Sequence, residues 1–162
     1  MTGVQTCALP IFNCLQSLFL AHEDKFILTP TFHVFEMYSA HPGAQSVRAE
    51  FVSPRVSYTR DDKPADFPGL AGSASLSGKQ VTLTVVNSDL TAPRETEIAV
   101  AGASISSCQA RVLSATDVHA HNSFENPNVL VPRDETISLG TGGVLVFRFA
   151  PASVTRLQLA LV

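Results

Sequence analysis

The stretch VLVFRFAPASVTRLQLAL, residues 144–161, contains the two clearest strand-like runs of the chain. The first run, Val144–Phe149, is followed by Pro151, which has no backbone N–H and cannot continue a central strand. The second run, Val154–Leu161, extends almost to the last residue. Runs of this length, rich in β-branched and apolar residues and bounded by Gly and Pro, are typical of β-strands. The end of the chain is therefore predicted to form two strands of a sheet.

The same period of two reaches back to about residue 43. Apolar and polar residues alternate over Val47–Phe51 and Val81–Val85, and a turn is predicted at Asn87–Asp89. Further short strands are indicated around Ile98 and Val100, Val112, and Ile137 and Leu139. Residues 60–66, RDDKPAD, are predicted to form a polar loop. Short strands at roughly even spacing, separated by Gly, Pro, Asn and Asp, predict a mainly β chain with an antiparallel β-sandwich.

A different pattern precedes Pro42-Gly43. Phe12, Leu15, Leu18 and Phe19 recur at helical spacing, and Phe26–Leu28 is the kind of short apolar run expected of a parallel strand buried on both faces. Thr31 is a candidate N-cap for a second helix, whose stripe is Phe32, Phe35 and Tyr38. Helix, buried strand and helix form the repeating unit of an α/β fold. Since one unit cannot bury its own strand, we expect the rest of that sheet to lie upstream of Phe12.

The first eleven residues, MTGVQTCALPI, have no charge and no apolar run suited to a secretory signal. Read back into codons, with a GTG start read as Met1, they resemble a common sequencing-library adapter. We therefore expect residues 1–11 to be a non-native segment.

Composition and charge argue against several classes of function. A net charge of -3 gives no basic surface for nucleic acid or an anionic membrane. No apolar run approaches the roughly 20 residues that cross a bilayer. Cys14 and Cys108 are far apart and lack CxxC spacing, so neither a disulfide framework nor a zinc site is predicted. No nucleic-acid or membrane partner is expected.

Two long motifs resemble one enzyme family. NCLQSLFLAHEDKFILTPTFHVFEMYSAH, residues 13–41, is similar to the last barrel segment of glycoside hydrolase family 51 α-L-arabinofuranosidases, which contains an NVLQ-like helix and a strand ending LTPTYHVFEMY. ARVLSATDVHAHNSFENPNVLVP, residues 110–132, resembles that family's sandwich loop with its A-H-N-T-F-E-x-P pattern. The resemblance implies a (β/α)8 barrel followed by a C-terminal sandwich. It predicts that residues 12–42 are the helix-strand-helix end of a truncated barrel and that residues 43–162 are the sandwich.

The resemblance also implies an activity for the parent protein. The family releases terminal non-reducing α-L-arabinofuranosyl groups from arabinan- and arabinoxylan-type glycans, with retention, using two carboxyl groups about 5–5.5 Å apart. The family places both glutamates on barrel strands upstream of this chain, so the fragment is predicted to be inactive and to need the missing N-terminal barrel. The reaction implies no metal or cofactor. The family further suggests a cytoplasmic, homo-oligomeric bacterial enzyme.

Several side chains invite a functional interpretation. Glu36 and Glu50 could form a carboxylate pair, although a helix residue and a strand residue are better explained as solvated or locally paired. His33 follows the predicted barrel strand at the rim where active sites form, so it either contributes to the pocket or packs at the helix start.

The loop after residue 113 holds the remaining candidates. His119 and His121 could ligate a metal with Asp117 or Glu125, but no third ligand is evident nearby. The favoured interpretation is that this loop fixes the sandwich against the barrel, because such side chains satisfy backbone groups in long loops. Its candidates are Asp117, His119, His121, Asn122 and Phe124, and His33 is a further interface candidate outside the loop.

A free-standing carbohydrate-binding sandwich is the alternative function. Sugar-binding sandwiches usually present flat aromatic platforms. This chain has no Trp and only two tyrosines, Tyr38 and Tyr58, which lie in different parts of the sequence. A structural role beside a catalytic barrel is therefore preferred.

Overall fold

The computed structural model of the protein describes residues 17–140 and 144–162. Within these ranges the elements are β1 (Phe19–His22), β2 (Lys25–Leu28), α1 (Pro30–Tyr38), β3 (Gln45–Val47), β4 (Arg55–Arg60), β5 (Lys63–Pro68), β6 (Leu70–Ser77), β7 (Gln80–Asn87), β8 (Arg94–Ile98), β9 (Ile105–Leu113), β10 (Arg133–Ile137), β11 (Leu145–Phe149) and β12 (Ser153–Leu161). The described part of the chain contains no helix that is both long and apolar enough to span a bilayer.

The largest layer is a six-stranded antiparallel sheet in the order β10-β9-β12-β7-β6-β3. Strand β12 lies at its centre and pairs with β7 on one side and β9 on the other. Alternation along β12 buries Leu157 and Leu159 on the inner face of the sheet. Arg156 and Gln158 therefore lie on the opposite face, which we call the outer face.

The second layer is the β8–β11 pair, which covers part of the inner face. Leu145, Phe147 and Phe149 of β11 are buried in the common core with Leu157 and Leu159, and the exposed Val146 and Arg148 alternate with them. This sandwich of antiparallel layers confirms the predicted mainly β fold.

A polar side chain closes the predicted turn after β7. Asn87 is buried, and its Nδ2 donates to the carbonyls of Ala92 (3.0 Å), Phe149 (3.3 Å) and Ala150 (2.9 Å). Beside it, the Asp89 carboxylate accepts from the backbone N–H groups of Ala92 and Thr91. Those two hydrogen bonds, with further help from the Arg94 guanidinium, lower the pKa of Asp89 to about 2. The turn thus joins both layers at one corner.

The predicted polar loop at residues 60–66 is instead a β-hairpin. Strands β4 and β5 pair from Arg55↔Pro68 to Arg60↔Lys63. Asp61 and Asp62, at the tip, have φ angles of 51° and 59°. A two-residue turn with both φ values positive matches the right-handed twist of the flanking strands, and Asp tolerates this conformation better than most residues. The prediction was wrong because the tip lacks the Asn-Gly or Asp-Gly signature.

The N-terminal segment differs from the predicted helix, strand and helix. Phe19 belongs to strand β1, and β1 pairs antiparallel with β2 in a hairpin whose turn contains Glu23 at φ 54°. Phe26–Leu28 is therefore not a parallel strand buried on both faces: Ile27 is 6% exposed but Phe26 is 54% exposed. A short apolar run does not reveal its partner, and the partner here is the adjacent strand. Ser17 and Leu18 are not helical either, and the rest of the first predicted helix, residues 12–16, lies outside the described residues, as do residues 1–11.

The second predicted helix is present as α1, with altered ends. Its N-cap is Thr29, not Thr31: the Thr29 hydroxyl accepts from the Phe32 N–H, and Pro30 occupies the first turn, where a missing N–H costs nothing. The helix ends at Tyr38, before Pro42-Gly43. Its buried residues are His33 and Met37.

Candidate functional site

The most elaborate set of polar contacts lies where residues 17–41 meet the sandwich, and we call this region the junction. Helix α1 contacts β9 and β12, and Met37 is completely buried. Three polar anchors surround this contact. They are formed by Asn122, by the Glu36–Arg111 ion pair and by His41.

Asn122 anchors the loop after β9 to the end of β2. The side chain is 4% exposed, and its Nδ2 donates to the carbonyls of Leu28 (3.0 Å) and Leu130 (3.1 Å). Its Oδ1 accepts from the N–H of Leu130 at 2.7 Å. One amide therefore satisfies three backbone groups, two across the base of the loop and one on the N-terminal segment. Leu28 directly precedes the Thr29 N-cap, so the contact lies at the start of α1.

The other candidate residues of this loop make local contacts. Asp117 accepts from the N–H of His119 at 2.9 Å, and the His121 Nδ1 lies 2.9 Å from the His119 carbonyl oxygen. Phe124 reaches the N-terminal hairpin, with its ring centroid 5.9 Å from that of His22. Asp117, His119 and His121 are exposed. Among the candidate residues of this loop, Asn122 and Phe124 contact the N-terminal segment directly.

Arg111 on β9 joins α1 to the edge of the sheet. Its Nη2 donates to both Glu36 oxygens (3.3 and 3.4 Å), and its Nη1 donates to both Asp134 oxygens (3.2 and 2.9 Å). Glu36 is therefore paired with a cation and is not half of a carboxylate pair with Glu50. Glu50 lies beyond the end of β3, not on a strand, and forms an exposed ion pair with Arg48 at 2.6 Å. The alternation over residues 47–51 marks an extended chain, but ladder pairing stops at Val47.

His41 is an anchor that the sequence did not reveal. Its Nδ1 lies 2.7 Å from the Ser75 hydroxyl and its Nε2 lies 2.8 Å from the Thr84 hydroxyl, both on the outer face. Burial, and then the charge of Arg156, lower the pKa of His41 below its usual value. A neutral imidazole offers one donor and one acceptor, and two hydroxyls can complement both. Only its position shortly after α1 hinted at this role.

His33 lies in the first half of α1 and is buried. It is 7% exposed, its ring packs edge-on to Phe32 at 5.5 Å, and its Nδ1 is 3.5 Å from Glu36 Oε2. Neither ring nitrogen has a hydrogen-bond partner among the described residues. His33 thus belongs to the junction, but it is separate from the loop around Asn122.

The described residues also bear on metal and thiol chemistry. Within residues 17–140 and 144–162 no group of three or more His, Cys, Asp or Glu side chains could hold a metal ion.

Cys108 is a free, buried thiol in the core, and burial raises its pKa to about 11. A thiol that stays protonated and enclosed acts as a small apolar residue.

An aromatic pair on the β4–β5 hairpin is open to solvent. Tyr58 is 43% exposed and its ring centroid is 5.6 Å from that of Phe67. The ring planes are inclined by 52°, so the pair does not form the flat platform that stacks on a sugar.

The family model "Alpha-L-arabinofuranosidase C-terminal domain" matches residues 4–153. The chain belongs to this family. The match crosses the predicted division at residues 42 and 43, so that division stays a prediction.

Relatives of this arabinofuranosidase C-terminal domain are much longer chains. An intracellular exo-α-L-arabinofuranosidase of Bacteroides ovatus is 28% identical over 134 residues, which are 81% of this chain and 26% of the relative. The family 51 arabinofuranosidase of Xanthomonas axonopodis pv. citri superposes with a TM-score of 0.79 at 24% identity, over 91% of this chain and 29% of its own.

The Thermotoga maritima α-L-arabinofuranosidase, solved with arabinose, gives a TM-score of 0.72 at 27% identity, over 90% of this chain and 32% of its own. The chain therefore spans between a quarter and a third of these relatives.

Proposed function

We propose that this domain is the C-terminal part of a retaining α-L-arabinofuranosidase that releases terminal non-reducing α-L-arabinofuranosyl groups from arabinan- and arabinoxylan-type glycans. The observation that carries the proposal is the family match over residues 4–153. The catalytic glutamates belong to a part of the protein outside this chain, and the domain alone is inactive. Glu36, the one carboxylate of α1, is bound to Arg111.

Within the enzyme, the domain acts as a structural partner of the catalytic barrel. Residues 12–42 are the proposed end of that barrel and residues 43–162 the proposed sandwich. The anchors at Asn122, Arg111 and His41 support this role, because each connects residues of the first segment to the sandwich. The loop residues Asp117, His119 and His121 shape the backbone that presents Asn122.

The test begins with the source DNA upstream of the Asn13 codon. We expect an open frame that continues into a barrel with glutamates at two strand ends. The extended protein and the 162-residue chain are then assayed on an aryl α-L-arabinofuranoside, with NMR of the first-formed anomer. The extended protein should hydrolyse the substrate with retention, and the present chain should not. Activity in the present chain, or an upstream frame without such a barrel, would contradict the proposal.

The glycan-binding alternative is tested by titrating the chain with arabino-oligosaccharides. Because the rings of the exposed Tyr58–Phe67 pair are inclined to each other, we expect no saturable binding. Saturable binding that is lost in Tyr58→Ala would make the domain a binding module in its own right.

A further inference from the structure

A polar surface pocket of about 330 Å³ opens on the outer face of the six-stranded sheet. Strands β9, β10 and β12 supply its walls. The polar and charged residues that matter here are Gln109, Arg111, Asp134, Glu135, Arg156 and Gln158. The pocket adjoins the junction through Arg111, but none of the contacts described above fills it.

Two guanidinium groups face each other across the floor of this pocket. Arg156 on β12 is directly opposite Arg111 on β9 in the strand register. Like charges in such cross-strand positions are destabilising unless they are compensated. Of the nearby carboxylates, Glu36 and Asp134 are engaged by Arg111, whereas Glu135 lines the pocket and forms no ion pair within residues 17–140 and 144–162.

Arg156 has no such compensation. Its guanidinium has no ion-pair partner or hydrogen-bond acceptor in residues 17–140 or 144–162, and its Nε is buried without a partner. The neighbouring His41 carries no negative charge that could offset it. Arg156 therefore presents a planar fork of N–H donors with no acceptor in the described residues, and the one donor of this fork that is buried, Nε–H, is costly to leave unpaired.

We propose that this pocket is a carboxylate-binding site in which Arg156 is the principal ligand-binding residue. A carboxylate matches the planar guanidinium fork and can accept two parallel hydrogen bonds from it. Gln109 on β9 and Gln158 on β12 are opposite each other in the strand register, and their side-chain amides offer additional donors. The carboxylate belongs either to an acidic side chain of the remaining part of the protein or to a free sugar acid. The site does not depend on the arabinofuranosidase activity proposed above.

The test is a titration of the ¹⁵N-labelled 162-residue chain with sodium acetate and, separately, with sodium glucuronate, followed by NMR. Sodium chloride at matched ionic strength is the control. We expect saturable shifts of the Arg156 side-chain resonances with both carboxylates. A bound carboxylate also offsets the charge that Arg156 exerts on His41, so the His41 pKa should rise on binding.

Three variants sharpen the assignment. Arg156→Gln should weaken acetate binding about tenfold or more, because it removes a charged hydrogen-bond donor. Arg156→Lys keeps the positive charge but loses the planar fork, so its affinity for acetate should lie between those of the unmodified chain and Arg156→Gln. Arg148→Gln, on the exposed face of β11, is the matched control and should bind as the parent does.

The relative affinities for glucuronate and acetate distinguish a free sugar acid from an acidic protein side chain as the source of the carboxylate. Glucuronate binding at least tenfold tighter than acetate assigns the site to a free sugar acid, and similar affinities assign it to a protein side chain. Shifts no larger than those caused by chloride overturn the proposal. Equal losses of acetate affinity in Arg156→Gln and Arg148→Gln overturn it as well. The comparison of acetate with chloride on the unmodified chain does not require any variant to fold.

Discussion

Replacing Asn122 by Ala removes the side chain that joins the loop after β9 to the end of β2. Three backbone groups lose their partner: the carbonyls of Leu28 and Leu130 and the N–H of Leu130. A buried polar group left unpaired costs about 1–3 kcal/mol, and the lower end applies because these hydrogen bonds are only partly buried. The expected loss is therefore about 3 kcal/mol, a large share of the roughly 5–15 kcal/mol that stabilises a typical domain.

The assay for Asn122→Ala is urea unfolding followed by far-UV circular dichroism, since the chain has no Trp. The midpoint should fall while the m-value stays constant. Hydrogen exchange of the Leu130 amide should accelerate more than that of amides in β12. Asn122→Asp keeps the acceptor for that amide but loses both donors, so it should protect Leu130 while still destabilising the chain.

Asn128→Ala is the matched control for this reasoning. Asn128 lies in the same loop, is exposed, and makes no side-chain hydrogen bond in the described residues. It should change stability by no more than about 0.5 kcal/mol. If Asn122→Ala and Asn128→Ala gave the same small change, or if Leu130 exchanged at the parent rate in Asn122→Ala, the proposed anchoring by Asn122 would be refuted.

Three further perturbations test other parts of the fold. Gly72→Ala would drive a Cβ into the Thr84 carbonyl, so we expect a loss of about 1–3 kcal/mol in urea unfolding, whereas Ser73→Ala, on the exposed next position, should be nearly neutral. The lowered pKa of Asp89 stabilises the fold above pH 4; this contribution should disappear as the pH falls towards 2, and Asp89→Asn should flatten the acid limb of the stability curve. The lowered pKa of His41 means that its contribution is complete above pH 6.5 and declines as the pH falls below that value, so His41→Gln should reduce the pH dependence near pH 6, as measured by unfolding at a series of pH values.

Periodicity was a reliable guide where each strand has one buried face. Along β12 buried and half-buried residues alternate, and that alternation is visible in TRLQLAL; VLVFRF of β11 is instead a nearly continuous apolar run bounded by Gly and Pro. The sandwich could therefore be predicted without a resemblance. The hairpin at Arg60–Lys63 could not, because its identity depends on two aspartates adopting positive φ, which no local pattern required.

The N-terminal segment shows a second limit of sequence patterns. Phe26, Ile27 and Leu28 form a continuous apolar run whether they pair with a distant parallel strand or with the adjacent β1. The anchors His41 and Arg111 were missed for a related reason. Their partners are remote in sequence, and a single polar residue carries no periodic signal.

The central position of β12 has a consequence for how the protein is made. Residues 153–161 are translated after every other strand of the six-stranded sheet, yet they separate β7 from β9. Until they leave the ribosome, β7 and β9 present open edges, and Leu83 and Cys108 lack their β12 neighbours Leu157 and Leu159. Completion of the sheet must therefore wait for almost the whole chain. This makes the nascent domain a natural client for chaperones and places its greatest aggregation risk before synthesis is complete.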